Sequence, residues 1–239
     1  MSNAAAFADL PTRQHRDDPL ASPADENSSM RVWHPGEVRR FVKQLENERL
    51  RALYVLALGT GLRRGELLGL RWIDLDLETC RLKVRQALVL AGWTPTLETP
   101  KTRNSRRTVA LDDTTVAALR RHRREQAEER LARGAAYDMR ELVLVFARDD
   151  GSPLNPTAVT KAFPLLAKTA GVPRVRFHDL RHTYATLALS AGVPLLVVSR
   201  TLGHATIAET ANTYSHVLDT DQAAGAARFD AHVWHGQVG

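Results

Sequence analysis

Apolar residues recur every three or four positions through most of the chain, which is the spacing of one helix face. Val38, Phe41 and Leu45 mark the first such face, and Pro35 is suited to a first helical position. Glycines and an Asn-Pro pair separate the later apolar stretches, so each stretch predicts its own helix. The predicted helices begin near residue 35 and continue over about 49–59, 62–70, 112–134, 155–171, 178–191, 194–202, 206–215 and 219–231.

A strand pattern interrupts these helices before the middle of the chain. Apolar and polar residues alternate over about 79–86, and two further runs, near 92–98 and 106–111, flank the polar turn 102–105. Alternation is typical of strands with one buried face. The sequence therefore predicts an α+β fold that is mostly helical, with a small three-stranded antiparallel sheet and no internal repeat of fixed period.

The first 30 residues differ from the rest. They are rich in Ala, Asp, Ser and Pro and show no sustained period, which predicts a flexible tail or linker over 1–30. Order is expected to begin near Trp33. Because 239 residues are enough to bury a full core, residues 31–239 are predicted to form one main domain.

Positive charge is concentrated in one segment. The formal net charge is +6, and ten Lys or Arg residues stand against five Asp or Glu residues between Lys101 and Arg133. This surplus is compatible with a polyanionic partner. It is equally compatible with a solvated helix face, because the arginines of 120–124 are followed by glutamates in 125–129.

The compartment can be predicted from what the sequence contains. No run of about 18 apolar residues is present, so no membrane-spanning helix is expected. Cys80 is the single cysteine, which cannot form an internal disulfide or a thiolate-rich zinc site. A cytoplasmic protein is therefore the expectation.

Arg63 follows the break Gly59-Thr60-Gly61, at the start of a predicted helix. A helix start presents free N–H groups and the positive end of the dipole, so an arginine there adds to the attraction for an anion. Glu66, three residues on, is placed to hold the guanidinium. From these residues alone, a plain helix-start Arg–Glu pair is the favoured alternative.

His178 and Arg181 are three residues apart and so share a helix face, whereas Tyr184 belongs to a separate apolar stripe that predicts a core position. His178 and His182 are four apart, a spacing that also suits a metal pair. No acidic residue stands where HExxH zinc chemistry needs one, so no metal is expected.

Tyr214 differs from the other tyrosines of the chain. The other three fall in an apolar helix run, on the core stripe and in a loop, whereas Tyr214 is flanked by polar residues, as an exposed reactive phenol would be. His204 lies at a predicted helix end ten residues earlier. Lys101 lies at the predicted hairpin tip in a chain with five lysines and 28 arginines. Lysine suits proton transfer near neutral pH, whereas arginine does not.

In this order the residues resemble the tyrosine recombinase family, the phage-type integrases, over about residues 31–231. Each motif is weak alone, but five in matching order and spacing are specific. The motifs are Thr60-Gly61-Leu62-Arg63-Arg64-Gly65-Glu66-Leu67, Pro100-Lys101-Thr102, His178-Asp179-Leu180-Arg181-His182-Thr183, Leu202-Gly203-His204 and Thr213-Tyr214-Ser215-His216-Val217.

The resemblance implies a site-specific enzyme that cuts and rejoins DNA in integration and recombination of mobile elements. The tyrosine attacks a backbone phosphate, which gives a 3′-phosphotyrosyl link and a free 5′-hydroxyl without ATP, cofactor or metal. The implied roles are Tyr214 as nucleophile, Arg63, Arg181 and His204 as phosphate donors, His178 as general base, Lys101 as general acid and Glu66 as support.

The resemblance also implies partners: a double-stranded recombination site, and other protomers that form a tetramer on DNA in the full-length protein. No membrane partner is implied. Family members usually carry an N-terminal helical DNA-binding domain that closes a clamp around the duplex. That domain is expected to be absent here, so the chain would be a fragment with weak, salt-dependent DNA affinity. The helix over 219–231 would dock onto a neighbouring protomer or pack on its own domain.

Three alternatives stay open at this point. A type IB topoisomerase shares the covalent chemistry, but the segment from Leu202 to Tyr214 resembles recombinases more closely. A DNA-binding regulator with a helix-turn-helix would not need a polar-flanked tyrosine. An inactive relative would lack some of the expected residue types, and all six are present. The sequence leaves the DNA site and the biological role undetermined.

Overall fold

A computed structural model places helices and strands close to the predicted positions. It describes residues 31–92, 94–98, 106–138, 144–218 and 222–235, so the predicted tail 1–30 lies outside the described residues. The helices are α1 (Pro35–Gln44), α2 (Arg51–Thr60), α3 (Arg64–Leu68), α4 (Asp113–Arg133), α5 (Pro156–Thr169), α6 (Asp179–Ser190), α7 (Leu195–Leu202), α8 (Ile207–Thr213), α9 (Ser215–Leu218) and α10 (Gln222–Trp234). The strands are β1 (Leu75–Asp76), β2 (Arg81–Val84), β3 (Ala87–Ala91), β4 (Thr94–Glu98) and β5 (Arg107–Ala110).

The helix starts follow the capping signals in the sequence. The Asn155 side chain accepts hydrogen bonds from the N–H groups that open α5, with Pro156 as the first helical residue. Asp112 caps α4 by accepting from the Thr115 N–H at 2.9 Å. The predicted helix over 206–215 is in fact two helices, because α8 ends before Tyr214 and α9 starts after it.

The small three-stranded antiparallel sheet is present, but one predicted strand, over 92–98, forms outside this sheet. β2 is the central strand and pairs with β1 and β5, with Leu82 opposite Val109. β4, the predicted strand over 92–98, pairs instead with β3 in a separate hairpin, with Leu88 opposite Leu97. The two strands flank a short connection that contains Gly92 (φ +64°). This local turn favours hairpin pairing over a longer-range partner.

Aromatic rings hold the first helices together. Trp33 packs on Phe41 with ring centroids 4.8 Å apart, and Phe41 contacts Phe163 of α5 at 5.7 Å. Tyr54 of α2 stacks on Phe163 at 6.0 Å, and the Trp33 Nε1–H donates to the Pro173 carbonyl at 2.8 Å. These buried rings fix α2, whose last residue leads directly into the candidate site.

A second, smaller apolar cluster packs α6 against α7 and the junction of α8 and α9. Its fully enclosed members are Ala185, Leu189, Val198, Leu202 and Tyr214. Tyr184 packs against the same cluster and is half-buried, as its apolar stripe predicted.

Much of the positive charge on α4 is paired with acidic residues. Arg120 bonds to Glu78 at 2.9 Å, and Arg121 bonds to Glu125 at 2.7 Å and to Glu46 at 2.8 Å. These contacts favour the solvated helix face for this segment. Within the described residues, the apolar stretches of the helices are too short or too charged to cross a membrane.

Candidate active site

Gly61 is the point at which two predicted site residues meet. It ends α2 in the left-handed region, with φ +62°, and a Cβ there would lie 2.6 Å from the Tyr184 ring and 2.8 Å from Leu202. Its carbonyl accepts a hydrogen bond from Arg181 Nη1 at 2.8 Å. Only glycine fits this turn and this packing, and the turn delivers Arg63 beside α6.

Arg181 is buried, and one of its guanidinium nitrogens, Nη2, has no hydrogen-bond acceptor among the described residues. The residue is 5% exposed. Nη2 is enclosed, and among the described residues no acceptor lies within hydrogen-bonding distance of it. Burial, and then the positive charge of Arg63, lower the pKa of Arg181 to about 9, which still leaves the guanidinium charged at neutral pH. A buried cation with an unpaired donor is costly unless an anion binds there.

Arg63 is the more accessible of the two arginines, with 41% of its side chain exposed. It caps α3, and Glu66 accepts its backbone N–H at 2.9 Å. The predicted contact between Glu66 and the Arg63 guanidinium exists at 3.5 Å, from Nη1 to Oε1. The guanidinium is thus oriented at one end and open to solvent at the other.

The strongest partner of Glu66 is Arg107, which sequence analysis did not single out. Arg107 Nη1 and Nη2 donate to the two Glu66 oxygens, both at 2.9 Å, and its Nε donates to the Thr201 carbonyl at 2.6 Å. Burial alone would raise the pKa of the Glu66 carboxyl, but the hydrogen bonds and charge of Arg107 hold that pKa below its usual range. Arg107 therefore ties α3 to the end of α7.

We expect Arg107→Met to lower the free energy of unfolding by about 3–5 kcal/mol, because it leaves the Glu66 carboxylate buried without its main partner. Urea unfolding followed by circular dichroism measures the loss. Arg121→Met, which removes an exposed guanidinium from α4, is the control and should cost much less. Adding Glu66→Gln to Arg107→Met should recover part of the loss; an unchanged urea midpoint in the single variant would contradict this account.

His204 follows α7, where Gly203 turns the chain in the left-handed region with φ +70°. Its Nδ1 lies 2.7 Å from Thr210 Oγ1, and Nε2 lies 3.7 Å from a Glu209 oxygen. Burial, and then the charge of Arg181, lower the pKa of His204 to about 4. The ring is therefore neutral at neutral pH, and it stands within the field of the two site arginines.

Tyr214 is buried, so the expectation of an exposed phenol was wrong. The residue is 1% exposed and lies between α8 and α9, where its ring joins the second apolar cluster. Its hydroxyl lies 2.9 Å from His182 Nδ1. Burial raises the pKa of Tyr214 to about 12, against the opposing effect of Arg181. The phenol is thus protonated at rest and within the influence of the Arg181 charge.

The remaining predicted residues are less enclosed or lie outside the described part. His178 is exposed directly before α6, and its ring stands 5.3 Å from that of His182, edge to face. Lys101 lies outside the described residues. The structure therefore brings together Arg63, Arg181, His204 and Tyr214 with Glu66 beneath them, and adds Arg107 and His182.

Two half-buried imidazoles of the site, those of His182 and His204, predict a pH dependence of stability, in the same direction as the fully buried His122. Burial, and then His178, lower the pKa of His182 to about 4, and His204 has the same value. The ordinary value is about 6.5. Between these values the unfolded chain binds protons that the folded chain does not, so stability is lost as the pH falls through this window. The urea midpoint of the wild type, measured at about pH 7, 6 and 5, should decrease as the pH falls. The decrease should be smaller in His204→Asn. Equal midpoints at all three would contradict the assignment.

The geometry suits the handling of a phosphate. Two guanidiniums that are charged at neutral pH offer donors for the oxygens of a phosphodiester, and a histidine adds a neutral donor. A buried tyrosine hydroxyl lies within the influence of the Arg181 charge. A helical domain with this arrangement, built on a small antiparallel sheet, fits the tyrosine recombinase class that the sequence motifs resemble.

The chain belongs to the phage integrase family, whose model matches residues 31–221. It is 39% identical over 193 residues to a tyrosine recombinase XerC-like protein of Caldanaerobacter subterraneus subsp. tengcongensis, which is 76% of this chain and 49% of that protein. It is 36% identical over 179 residues to an integrase of Streptomyces ambofaciens, 71% of this chain and 45% of the relative. The chain spans about half the length of these curated relatives.

Solved structures show the same fold. The Tn1549 transposon integrase in complex with transposon right end DNA matches with a TM-score of 0.72 and 23% identity, over 86% of this chain and 68% of that chain. The XerA recombinase matches with a TM-score of 0.62 and 24% identity, over 80% and 63% of the two chains. At these identities the comparison establishes the architecture.

Proposed function

We propose that this chain is the catalytic domain of a site-specific DNA recombinase. It cleaves one strand of duplex DNA by attack of Tyr214 on a backbone phosphate, holds the strand as a 3′-phosphotyrosyl link, and rejoins it without ATP or a metal. The observation that carries the proposal is the buried Arg181 guanidinium, whose enclosed Nη2 has no acceptor among the described residues. A phosphodiester oxygen supplies the anion that such a donor needs.

The proposed roles are those that the family resemblance implies, and the positions of several residues support them. Arg63 and Arg181 bind the non-bridging oxygens and stabilise the pentacoordinate phosphorane, and His204 donates a further hydrogen bond. His178 is the general base, supported by its place beside the imidazole that contacts the phenol. Lys101 is the general acid that protonates the 5′-oxygen, on the strength of its motif. Glu66 orients Arg63.

A basic groove extends the site along the sheet. It is lined by residues of β2 and β5 and their flanks, including Arg71, Lys83, Arg85 and Arg106. Arg71 and Arg85 also contact Asp74, at 2.8 and 3.3 Å, which holds their side chains at the groove. The groove supports contact with phosphates on either side of the scissile one, and so a double-stranded DNA partner.

The names of the relatives favour recombination over the alternatives. Relatives are named tyrosine recombinase and integrase, and the Tn1549 neighbour is bound to transposon DNA. Other protomers of the same chain are proposed as partners, in a tetramer on the recombination site. A topoisomerase would relax supercoiled DNA without preference for sequence, and a regulator would bind DNA without a covalent product.

The proposal is tested by trapping the covalent intermediate on the full chain. The probe is a pool of duplex oligonucleotides of random sequence, each carrying one 5′-bridging phosphorothiolate. Attack by the tyrosine breaks the P–S bond and leaves a 5′-thiolate, which religates poorly and needs no proton donor, so the adduct accumulates independently of Lys101. Denaturing gels should show a covalent adduct, peptide mapping should place it on Tyr214, and sequencing should recover a preferred site. Absence of an adduct, or attachment to another residue, would refute the proposal; equal recovery of all sequences would favour the topoisomerase.

A further inference from the structure

The hydroxyl that is proposed to attack phosphate is held by a histidine that the sequence did not assign to the site. His182 lies on α6, one turn after His178, and its Nδ1 is 2.9 Å from Tyr214 Oη. The two residues are 32 positions apart in the chain, and their rings lie 6.0 Å apart. His182 is thus in hydrogen-bonding contact with the phenol.

The contact joins two neutral groups. Burial, and then the neighbouring His178, lower the pKa of His182 to about 4, while burial raises the pKa of Tyr214 to about 12. The two pKa values are far apart, so at neutral pH the proton stays on the phenol and the imidazole is uncharged. Depending on the imidazole tautomer, the phenol donates to Nδ1 or Nδ1–H donates to the phenol.

The described residues of the apolar cluster hold the tyrosine ring but do not orient its hydroxyl, although the charges of Arg181 and Glu209 act on the phenol. Its ring packs against Ala185, Leu189, Val198 and Leu202, which fix the ring but offer no side-chain polar atom. Among the described residues, the hydrogen bond between His182 and the phenol is therefore the contact that sets the position of the oxygen. His182 and the buried Arg181 are adjacent on α6. The same helix therefore positions both the phenol oxygen and the proposed phosphate donor.

We propose that His182 is a positioning residue for Tyr214, which fixes the phenol oxygen relative to the phosphate held by Arg181. The proposal rests on Tyr214 being the nucleophile. Rate is sensitive to small errors of position, and a misplaced reacting atom slows a reaction by about a hundredfold. The part played by His182 is geometric, and proton removal is left to another group.

Substitution of His182 by asparagine or glutamine distinguishes a positioning role from a role in proton transfer. The side-chain amide of His182→Asn places an acceptor and a donor close to the position of Nδ1, and it does not titrate near neutral pH. His182→Gln carries the same amide one bond further out and misplaces it, and His182→Leu removes it. Thr186→Val, one turn along α6, is the control; its Oγ1 is buried and has no hydrogen-bond partner among the described residues.

The experiment measures adduct formation by the full chain on the phosphorothiolate duplex selected by the wild type, at saturating DNA and from about pH 6 to 9. We expect His182→Gln and His182→Leu to slow the reaction by about ten- to a hundredfold with little change in half-saturating DNA. His182→Asn should stay within about threefold of wild type with the same pH profile, as should Thr186→Val. Thermal midpoints verify that each variant is folded.

Each other outcome has a definite meaning. If Gln and Leu variants react like wild type, His182 does not position the phenol and the proposal is overturned. If Asn is as slow as Leu, the imidazole acts by taking the proton, which overturns the geometric role. If the wild type forms no adduct, or Tyr214→Phe forms one, the nucleophile itself is wrong and both proposals fall. These three results come from different variants on the same gel, so failure of the His182 proposal can be distinguished from failure of the proposed function.

Discussion

Tyr214→Phe should form no covalent adduct on the phosphorothiolate duplex, with a rate reduced by at least about a thousandfold. The change removes only the attacking oxygen. The phenyl ring can keep its place among Ala185, Leu189, Val198 and Leu202, so the fold should lose only the single hydrogen bond to His182. That loss is about 1 kcal/mol. Binding of duplex DNA, measured by fluorescence anisotropy, should be nearly unchanged because the change removes none of the positively charged donors.

A matched control for this variant exists in the same cluster. Tyr184 is half-buried beside Gly61 and its phenol is not part of the proposed chemistry. Tyr184→Phe should therefore form the adduct at close to the wild-type rate. An adduct formed by Tyr214→Phe would remove Tyr214 from its role, and loss of the adduct in both variants would point to a general defect of the cluster.

Arg181→Lys should reduce adduct formation by about a hundred- to a thousandfold, although it keeps the positive charge. The guanidinium bonds to the Gly61 carbonyl through Nη1 and keeps Nη2 available for the phosphate, and a lysine ammonium cannot do both with the same geometry. The loss should appear in the rate at saturating DNA, because the donors act on charge that develops in the transition state.

Burial of Arg181 makes a second variant necessary. Arg63 is 41% exposed in its side chain, so Arg63→Lys should fold normally and still react slowly. Arg124→Lys, on the exposed face of α4, is the control and should not affect the rate. Rates within about threefold of wild type in both site variants would show that bidentate arginine donors are not needed for the reaction.

Local signals predicted most of the helices, because capping residues and apolar spacing act within one turn. Asn155 caps the helix that the Asn-Pro pair predicted, and Asp112 caps the helix predicted over 112–134. The sheet was harder to predict, because strand pairing depends on partners that are distant in sequence. The turn at Gly92 was not recognised, and the run 92–98 was therefore assigned to the wrong sheet.

In the candidate site too, local motifs predicted some features, and features that depend on distant residues were missed. Motifs singled out Arg63, Arg181, His204 and Tyr214, and the structure brings them together. Exposure of Tyr214 was predicted wrongly because its polar neighbours in sequence say little about its own side chain at a break between two short helices.

Arg107 and His182 were missed because their contacts join residues far apart in the chain. Arg107 reaches Glu66 across 41 positions and Thr201 across 94, and no spacing rule detects such partners. An arginine within a strand that otherwise alternates was the available signal for Arg107. For His182, the available signal was a second histidine one turn after His178.

Because Arg107 links α7 to Glu66, a substitution at Gly203 is expected to affect Glu66 and Arg63 without touching them. A Cβ at Gly203 would lie 2.7 Å from Arg107 Nη1 and 2.8 Å from its Cζ, and that guanidinium is already anchored to Glu66 and to the Thr201 carbonyl. A single methyl group there would have to push the guanidinium away from Glu66. Glu66 contacts Arg63, so the change at the end of α7 would also displace the proposed phosphate donor at the start of α3. The end of α7 and the start of α3 are therefore coupled through Arg107. Whether a side chain is tolerated at position 203 depends on the position of this one guanidinium.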